Sequence, residues 1–249
     1  MHVTLKETVT EQILTQLQTR LDTKDPVSEE YHPKKDLLQK ELDTAKAIAQ
    51  DKQIKQAIQI DTSVSKAYDS HITFKGGLTA MQPLGTVAYS GETINIYVGS
   101  PNKKTGDNTN LSLVATQYHA EASSWIKTVT TLKVGKNEIT IPRLQSIDVE
   151  HGGALYVEYT GKNTNDIYGV RVSGGMDIPI LDITKVQTET QKRQAVENYV
   201  QELESYVPTI ANLHEEHQGE EKVGNYAYDE KNCIAGATAV SYTHLTLPT

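Results

Sequence analysis

The sequence predicts a mixed, mainly β protein: an all-β sandwich flanked by N-terminal helices and a C-terminal helical segment. Three observations carry this. The first quarter repeats apolar residues at helical spacing. The middle breaks into short runs rich in β-branched residues and Tyr, separated by Gly, Asn and Ser. The last quarter then returns to helical spacing. The 249 residues carry 24 Lys+Arg and 32 Asp+Glu, a net charge of −8. Residues 1–71 hold 10 basic and 12 acidic side chains, residues 72–183 hold 9 and 10, and residues 184–249 hold 5 and 10. Most of the acidity therefore lies in the last quarter, and the middle is nearly neutral.

In the first segment Val9, Ile13, Leu14, Leu17 and Leu21 fall on one helix face. Asp25-Pro26 breaks that helix, because proline disfavours helical geometry in the residue before it. A second helix is predicted from Pro33 to about Ile60 on Leu37, Leu38, Leu42, Ala45, Ile48 and Ala49. No heptad persists long enough for a coiled coil. Seven strands are predicted next: 86–89, 93–98, 111–118, 126–134, 138–141, 154–159 and 168–172. Turn residues separate them at Ser90-Gly91, Gly99 to Gly106, Gly135-Lys136-Asn137, Gly152-Gly153, Gly161 to Asn165 and Gly174-Gly175. About seven short strands in about 110 residues is the pattern of a sandwich. From about Gln187 to Tyr206 a last helix is expected, with Val196, Tyr199, Val200, Leu203 and Val207 on one face and Pro208 after it.

Composition excludes several function classes. No run approaches the roughly 20 apolar residues of a membrane-spanning helix, so none is expected here. An acidic chain with no Lys/Arg-dense stretch argues against nucleic acid as partner. One cysteine, Cys233, leaves neither an internal disulfide nor a Cys-based zinc site, and no base lies near it to make it a nucleophile. The start, Met1-His2-Val3-Thr4-Leu5, has no charged or apolar signal region. A cytosolic protein and a secreted one that begins further upstream fit this equally.

Few residues suggest chemistry. His214-Glu215-Glu216-His217 resembles the H-E-x-x-H of zinc peptidases, but its histidines are three apart and Gln218 stands where the second belongs. It fails as a catalytic motif and reads better as a solvated helix end. Gly152-Gly153 and Gly174-Gly175 do not open a helix after a strand, so they are not phosphate loops. No catalytic and no metal-binding residue is assigned. Tyr118 and Trp125 are the candidate glycan contacts, since aromatic faces stack on sugars. The structural alternative for strand tyrosines, a ring at the core edge with its hydroxyl in water, is the commoner one.

Pro83-Leu84-Gly85-Thr86-Val87-Ala88-Tyr89-Ser90-Gly91-Glu92-Thr93-Ile94-Asn95-Ile96-Tyr97-Val98 is a strand, a Gly-Glu turn and a second strand. With Val134-Gly135-Lys136-Asn137-Glu138-Ile139-Thr140-Ile141-Pro142 and Gly152-Gly153-Ala154-Leu155-Tyr156-Val157-Glu158-Tyr159, it resembles the opening blocks of the enhancin-like, mucin-targeting zinc metallopeptidases, the peptidase M-sixty family. Tyr228-Asp229-Glu230-Lys231-Asn232-Cys233-Ile234 resembles the lead-in to that family's catalytic region. The resemblance spans about 72 to 239. It implies a secreted or cell-surface endopeptidase with glycoprotein or mucin substrates, and zinc held by H-E-x-x-H and a later Glu. This sequence has neither the motif nor that ligand, so no catalytic residue carries over. Zinc is expected in the full-length protein and no cofactor in this fragment.

The resemblance divides the chain into a helical leader or piece of a preceding domain (1–71), a β-sandwich subdomain (72–183) and the helical start of a truncated catalytic region (184–239). The final ten residues, Val240 to Thr249, can be encoded by a string that resembles a sequencing-library adapter. The expectation is therefore a native sequence interrupted near Ala239, and a fragment without activity of its own. The alternative is a non-catalytic surface module, glycan-binding or structural.

Overall fold

The computed structural model describes residues 3–23, 34–60, 62, 81–88, 91–119, 124–141, 144–145, 150–151, 153–163 and 165–180, and most positions between 188 and 202. In chain order these form α1 (Glu11–Asp22), α2 (Lys35–Gln50), β1 (Ile58–Ile60), β2 (Met81–Ala88), β3 (Thr93–Gly99), β4 (Asn108–His119), β5 (Ser124–Lys133), β6 (Gly135–Thr140), β7 (Leu144–Gln145), β8 (Glu150–His151), β9 (Gly153–Tyr159), β10 (Tyr168–Ser173) and β11 (Met176–Asp177). A single 3-10 turn, Val3–Leu5, precedes α1. The described positions between 189 and 202 are helical, as the spacing predicts.

Two antiparallel sheets make the sandwich. One has the order β1-β10-β3-β6 and the other β11-β2-β9-β4-β5, with β7 and β8 a separate pair. Strict alternation builds the core between them. Ile94, Ile96 and Val98 of β3 and Tyr168, Val170 and Val172 of β10 meet Leu111, Leu113 and Ala115 of β4 and Leu155, Val157 and Tyr159 of β9. Each run points every second side chain inward, as a strand must. The expected sandwich is the observed one.

The helices form by different means. The Thr10 hydroxyl accepts the Ile13 N–H at 3.4 Å and caps α1, with Glu11 in the first turn and Arg20 in the last. Leu14, Leu17 and Leu21 then pack on Leu38 and Leu42 of α2. The second helix was expected to run to about Ile60, but it ends at Gln50. Asp51 stops it: its carboxylate accepts the Gln53 N–H at 3.0 Å, an Asx turn that competes with helical bonding. Ile54 bridges Ser173, the Lys55 N–H donates to Val172 O at 2.9 Å, and Ile58–Ile60 pairs with β10 as a strand. Chain read as helix thus supplies a sheet edge.

One predicted turn is a strand instead. Gly135-Lys136-Asn137 opens β6 rather than forming a turn. The chain crosses from one sheet to the other beside it, and Asn137 substitutes for the missing ladder. Its amide nitrogen donates to Lys133 O at 2.8 Å and Ile96 O at 3.1 Å, while its oxygen accepts the Lys133 N–H at 2.9 Å. Gly174 and Gly175 do turn, with φ of 94° and 66°, a left-handed pair that carries β10 of one sheet into β11 of the other.

Gly99 and Gly169 are cross-strand partners on the face of the four-stranded sheet away from the core. Without side chains there, the Val3–Leu5 turn lies directly on the sheet. A Cβ at Gly99 would overlap Thr4 and Leu5, and one at Gly169 would overlap Leu5. Gly99→Ala is therefore expected to lift this turn, costing about 1–3 kcal/mol as overpacking does. Limited proteolysis should then cut within the first ten residues at doses that spare the parent protein. An unchanged melting temperature and cleavage pattern would contradict the close-approach reading.

Candidate functional site

Among the described residues, two clusters of buried polar side chains join distant parts of the chain, and both bind the protein to itself. The first lies on the outer face of the four-stranded sheet. Arg171 and Tyr97 are register partners there, 3% and 1% exposed. The Arg171 guanidinium donates to three carbonyls: Lys55 O at 2.9 Å, Glu7 O at 3.3 Å and Lys6 O. The Tyr97 hydroxyl donates to Asp51 Oδ2 at 2.9 Å, and the Ser173 hydroxyl donates to Asp51 Oδ1 at 2.7 Å. Burial lowers the Arg171 pKa, opposed by the nearby Glu7 and Asp51 carboxylates. A guanidinium held by three backbone acceptors neither titrates near neutrality nor reaches solvent, so this cluster is an anchor.

The second lies at one end of the core. The Tyr159 and Tyr168 rings pack with centroids 6.0 Å apart. The Tyr168 hydroxyl donates to Thr109 O at 2.6 Å, and Tyr159 donates to Asn163 O at 2.8 Å. Asp166 Oδ2 lies 3.3 Å and 3.1 Å from the two phenol oxygens. Asp166 also takes the Asn163 amide at 3.0 Å and, through its carbonyl, the Thr62 hydroxyl at 2.9 Å. These contacts close the loop between β9 and β10. Tyr97, Tyr156, Tyr159 and Tyr168 are all at most 3% exposed. None of the four is a core-edge ring with its hydroxyl in water, as the sequence suggested: all are buried, and the hydroxyls of Tyr97, Tyr159 and Tyr168 donate within the protein, so they offer no face to a sugar.

The candidate glycan contacts Tyr118 and Trp125 occupy directly opposed register positions on β4 and β5. Adjacent placement was not legible before the register was known. Among the described residues no group of three or more His, Cys, Asp or Glu side chains could hold a metal. The zinc ligand set that the resemblance implies therefore has no counterpart there. His214, His217 and Cys233 lie outside the described residues. Among the described residues no helix is long and apolar enough to cross a membrane.

The anchors make stability depend on alkaline pH. Burial is the main cause that pushes the Tyr97, Tyr159 and Tyr168 hydroxyls above their ordinary value of 10.0, and the Asp51 and Asp166 carboxylates add to it. A raised folded pKa means that the folded state keeps its proton after the unfolded chain has lost it. Stability is then full below about pH 10 and falls as pH rises above it. Denaturant titrations at about pH 8 and pH 11 should show that fall. Tyr168→Phe should flatten it while costing about 1–3 kcal/mol at the lower pH, because Thr109 O loses its donor. A wild-type midpoint that does not move between the two would contradict the assignment.

No protein-family model matches the sequence, and a comparison with curated proteins gives no match. Among solved structures, the chain is similar to the ZmpB metallopeptidase from Clostridium perfringens, with 30% identity, 52% of this chain and 24% of that one covered, and a TM-score of 0.39. It is also similar to a structure of the CBM32-1, CBM32-2 and M60 catalytic domains of ZmpB from the same organism, with 22% identity, coverage of 82% and 20%, and a TM-score of 0.49. A third is IMPa from Pseudomonas aeruginosa in complex with an O-glycopeptide, with 16% identity, coverage of 76% and 22%, and a TM-score of 0.31. The chain thus spans less than a quarter of the length of each of these structures.

Proposed function

We propose that this chain is the β-sandwich part of a secreted or cell-surface zinc endopeptidase that acts on mucin-type glycoproteins, and that alone it hydrolyses none. One observation supports the reading most. Of the three sequence blocks that resemble the enhancin-like family, 83–98, 134–142 and 152–159, the first is hydrogen-bonded to each of the other two. The first block supplies β2 and β3, one to each sheet. β2 pairs with the third block through Val87 with Ala154 and Ala88 with Gly153. β3 pairs with the second through Ile94 with Ile139 and Ile96 with Asn137. A strand and a turn at one place in a sequence say little. Three of them that assemble around one core are what inheritance of a common folding unit requires.

The missing chemistry is the other half of the proposal. The sequence contains no H-E-x-x-H, so no residue of this chain is assigned to zinc or to proton transfer.

The source locus tests the reading. Its reading frame, sequenced from native DNA beyond the codon for Ala239, should encode H-E-x-x-H within about a domain's length. A native frame that encodes Val240 to Thr249 and then stops without that motif would sink it. The purified 249-residue chain should leave a mucin O-glycopeptide intact and carry well under one zinc per molecule by elemental analysis. Cleavage, or one tightly held zinc, would overturn the claim that it is inactive alone.

A further inference from the structure

The first residues of the chain are held as a ligand is held. The Val3–Leu5 turn touches α2 on one side and β3 and β10 on the other. It lies on the face of the sheet, where β3 and β10 already pair with each other, so the backbone beneath has no free group to offer it. Among the described residues no backbone hydrogen bond joins residues 3–7 to those strands, and the Lys6 N–H turns back to Val3 O at 3.1 Å. Their hydrogen bonds to the rest of the protein come from one side chain. The Arg171 guanidinium donates to the carbonyls of Lys6 and, at 3.3 Å, of Glu7. Burial of Val3 and, in part, of Leu5 supplies the remaining hold.

The seat has the form of a groove. Gly99 and Gly169, register partners, are its floor, and a side chain on either would strike Thr4 or Leu5. Arg171, two positions from Gly169 on β10, stands at one end, and α2 is a wall. Such a floor selects by shape, admitting backbone that comes close with apolar side chains around a small one. Arg171 reads two successive carbonyls, which any peptide has. The hold is also weaker than the shape allows. Thr4 is 3% exposed, and its hydroxyl has no hydrogen-bond partner, so the segment bears the cost of drying that group. Glu7 and Thr8 are exposed, which leaves the link between the seated residues and α1 open to cleavage.

We propose that the outer face of the four-stranded sheet is a peptide-binding groove, filled in this chain by its own first residues. Once these are displaced or cut away, it takes the same segment from a second copy of the chain. The peptide it fits places two apolar side chains around a small one and follows them with two carbonyls for Arg171. Exchange of an identical segment between copies requires no new contact, because every group meets the partner it had within one chain.

The test uses the full chain and a fluorescent synthetic peptide of residues 1–9. Leu5→Asp in the chain sets a carboxylate against the glycine floor and displaces the tethered segment. The peptide should bind this variant saturably and raise its melting temperature. It should bind the unaltered chain at least about tenfold more weakly, because the tethered segment competes at high effective concentration. Val3→Ser with Leu5→Ser in the chain repeats the test should the first variant fold poorly. A peptide carrying Thr4→Val should bind about tenfold more tightly, since it buries a methyl in place of the unanswered hydroxyl. Arg171→Lys, added to either displaced variant, should weaken binding at least about tenfold, because lysine keeps the charge and loses the fork. Failure of the peptide to bind both displaced variants, or equal binding to the unaltered chain, overturns the proposal. So does undiminished binding after Gly99→Ala is added to a displaced variant, since a peptide indifferent to the floor is bound elsewhere. A Thr4→Val peptide that binds no better than the parent places that residue outside the groove and overturns it as well.

Discussion

A guanidinium shut away from water needs hydrogen-bond acceptors, and Arg171 finds three in backbone from two distant stretches. Lys6 and Glu7 lie before α1, and Lys55 lies after α2. Leaving such a charge buried and unpaired would cost several kcal/mol, so the sheet and the segments over it are energetically one object. Asp51 adds to the bond from the other side. It ends α2, receives Tyr97 and Ser173 from the sheet, and turns the chain toward β1. The outer face of this sheet is therefore polar and buried at once, an arrangement that works only because the Val3–Leu5 turn, Lys6-Glu7 and the segment from Asp51 to Lys55 lie over it. Gly99 and Gly169 complete it, since their missing side chains set how close the cover can come.

Much of this was legible in the sequence because it is local. Ile94, Ile96 and Val98 alternate, as do Leu155, Val157 and Tyr159, and alternation has one structural meaning when turns flank it. Leu14, Leu17 and Leu21 likewise announce a helix face. What escaped was everything whose cause is distant. Ile58-Gln59-Ile60 continues a helical spacing of apolar residues, and only the free edge of β10 makes it a strand. Gly99 looks like a turn residue until Leu5 is found above it. Arg171 reads as the polar half of an alternation, an outward and wet position, and is instead 3% exposed.

The site residues divide in the same way. Tyr118 and Trp125 could be chosen as aromatic, but their opposition depends on the β4–β5 register, which the sequence between them does not state. The three family-like blocks could each be quoted, yet their strength lies in being neighbours across two sheets, a fact of topology.

Charge shows the distinction most clearly. No stretch of the sequence is dense in Lys or Arg, yet folding gathers cations that lie far apart in it: Arg20 on α1, Lys34 and Lys40 at the start of α2, Lys103 and Lys104 after β3, and Lys133 and Lys136 where β5 gives way to β6. Each contributes one or two, too few to mark its own segment. Net charge misleads here for a physical reason. At physiological ionic strength a charge is felt over about 8 Å, so the acidic excess of residues 184–249 cancels a lysine only where it lies beside one. A total of −8 is a sum over the molecule, whereas a ligand meets the few groups within a Debye length. Folding, by bringing helix ends and loop together, decides what that local sum is.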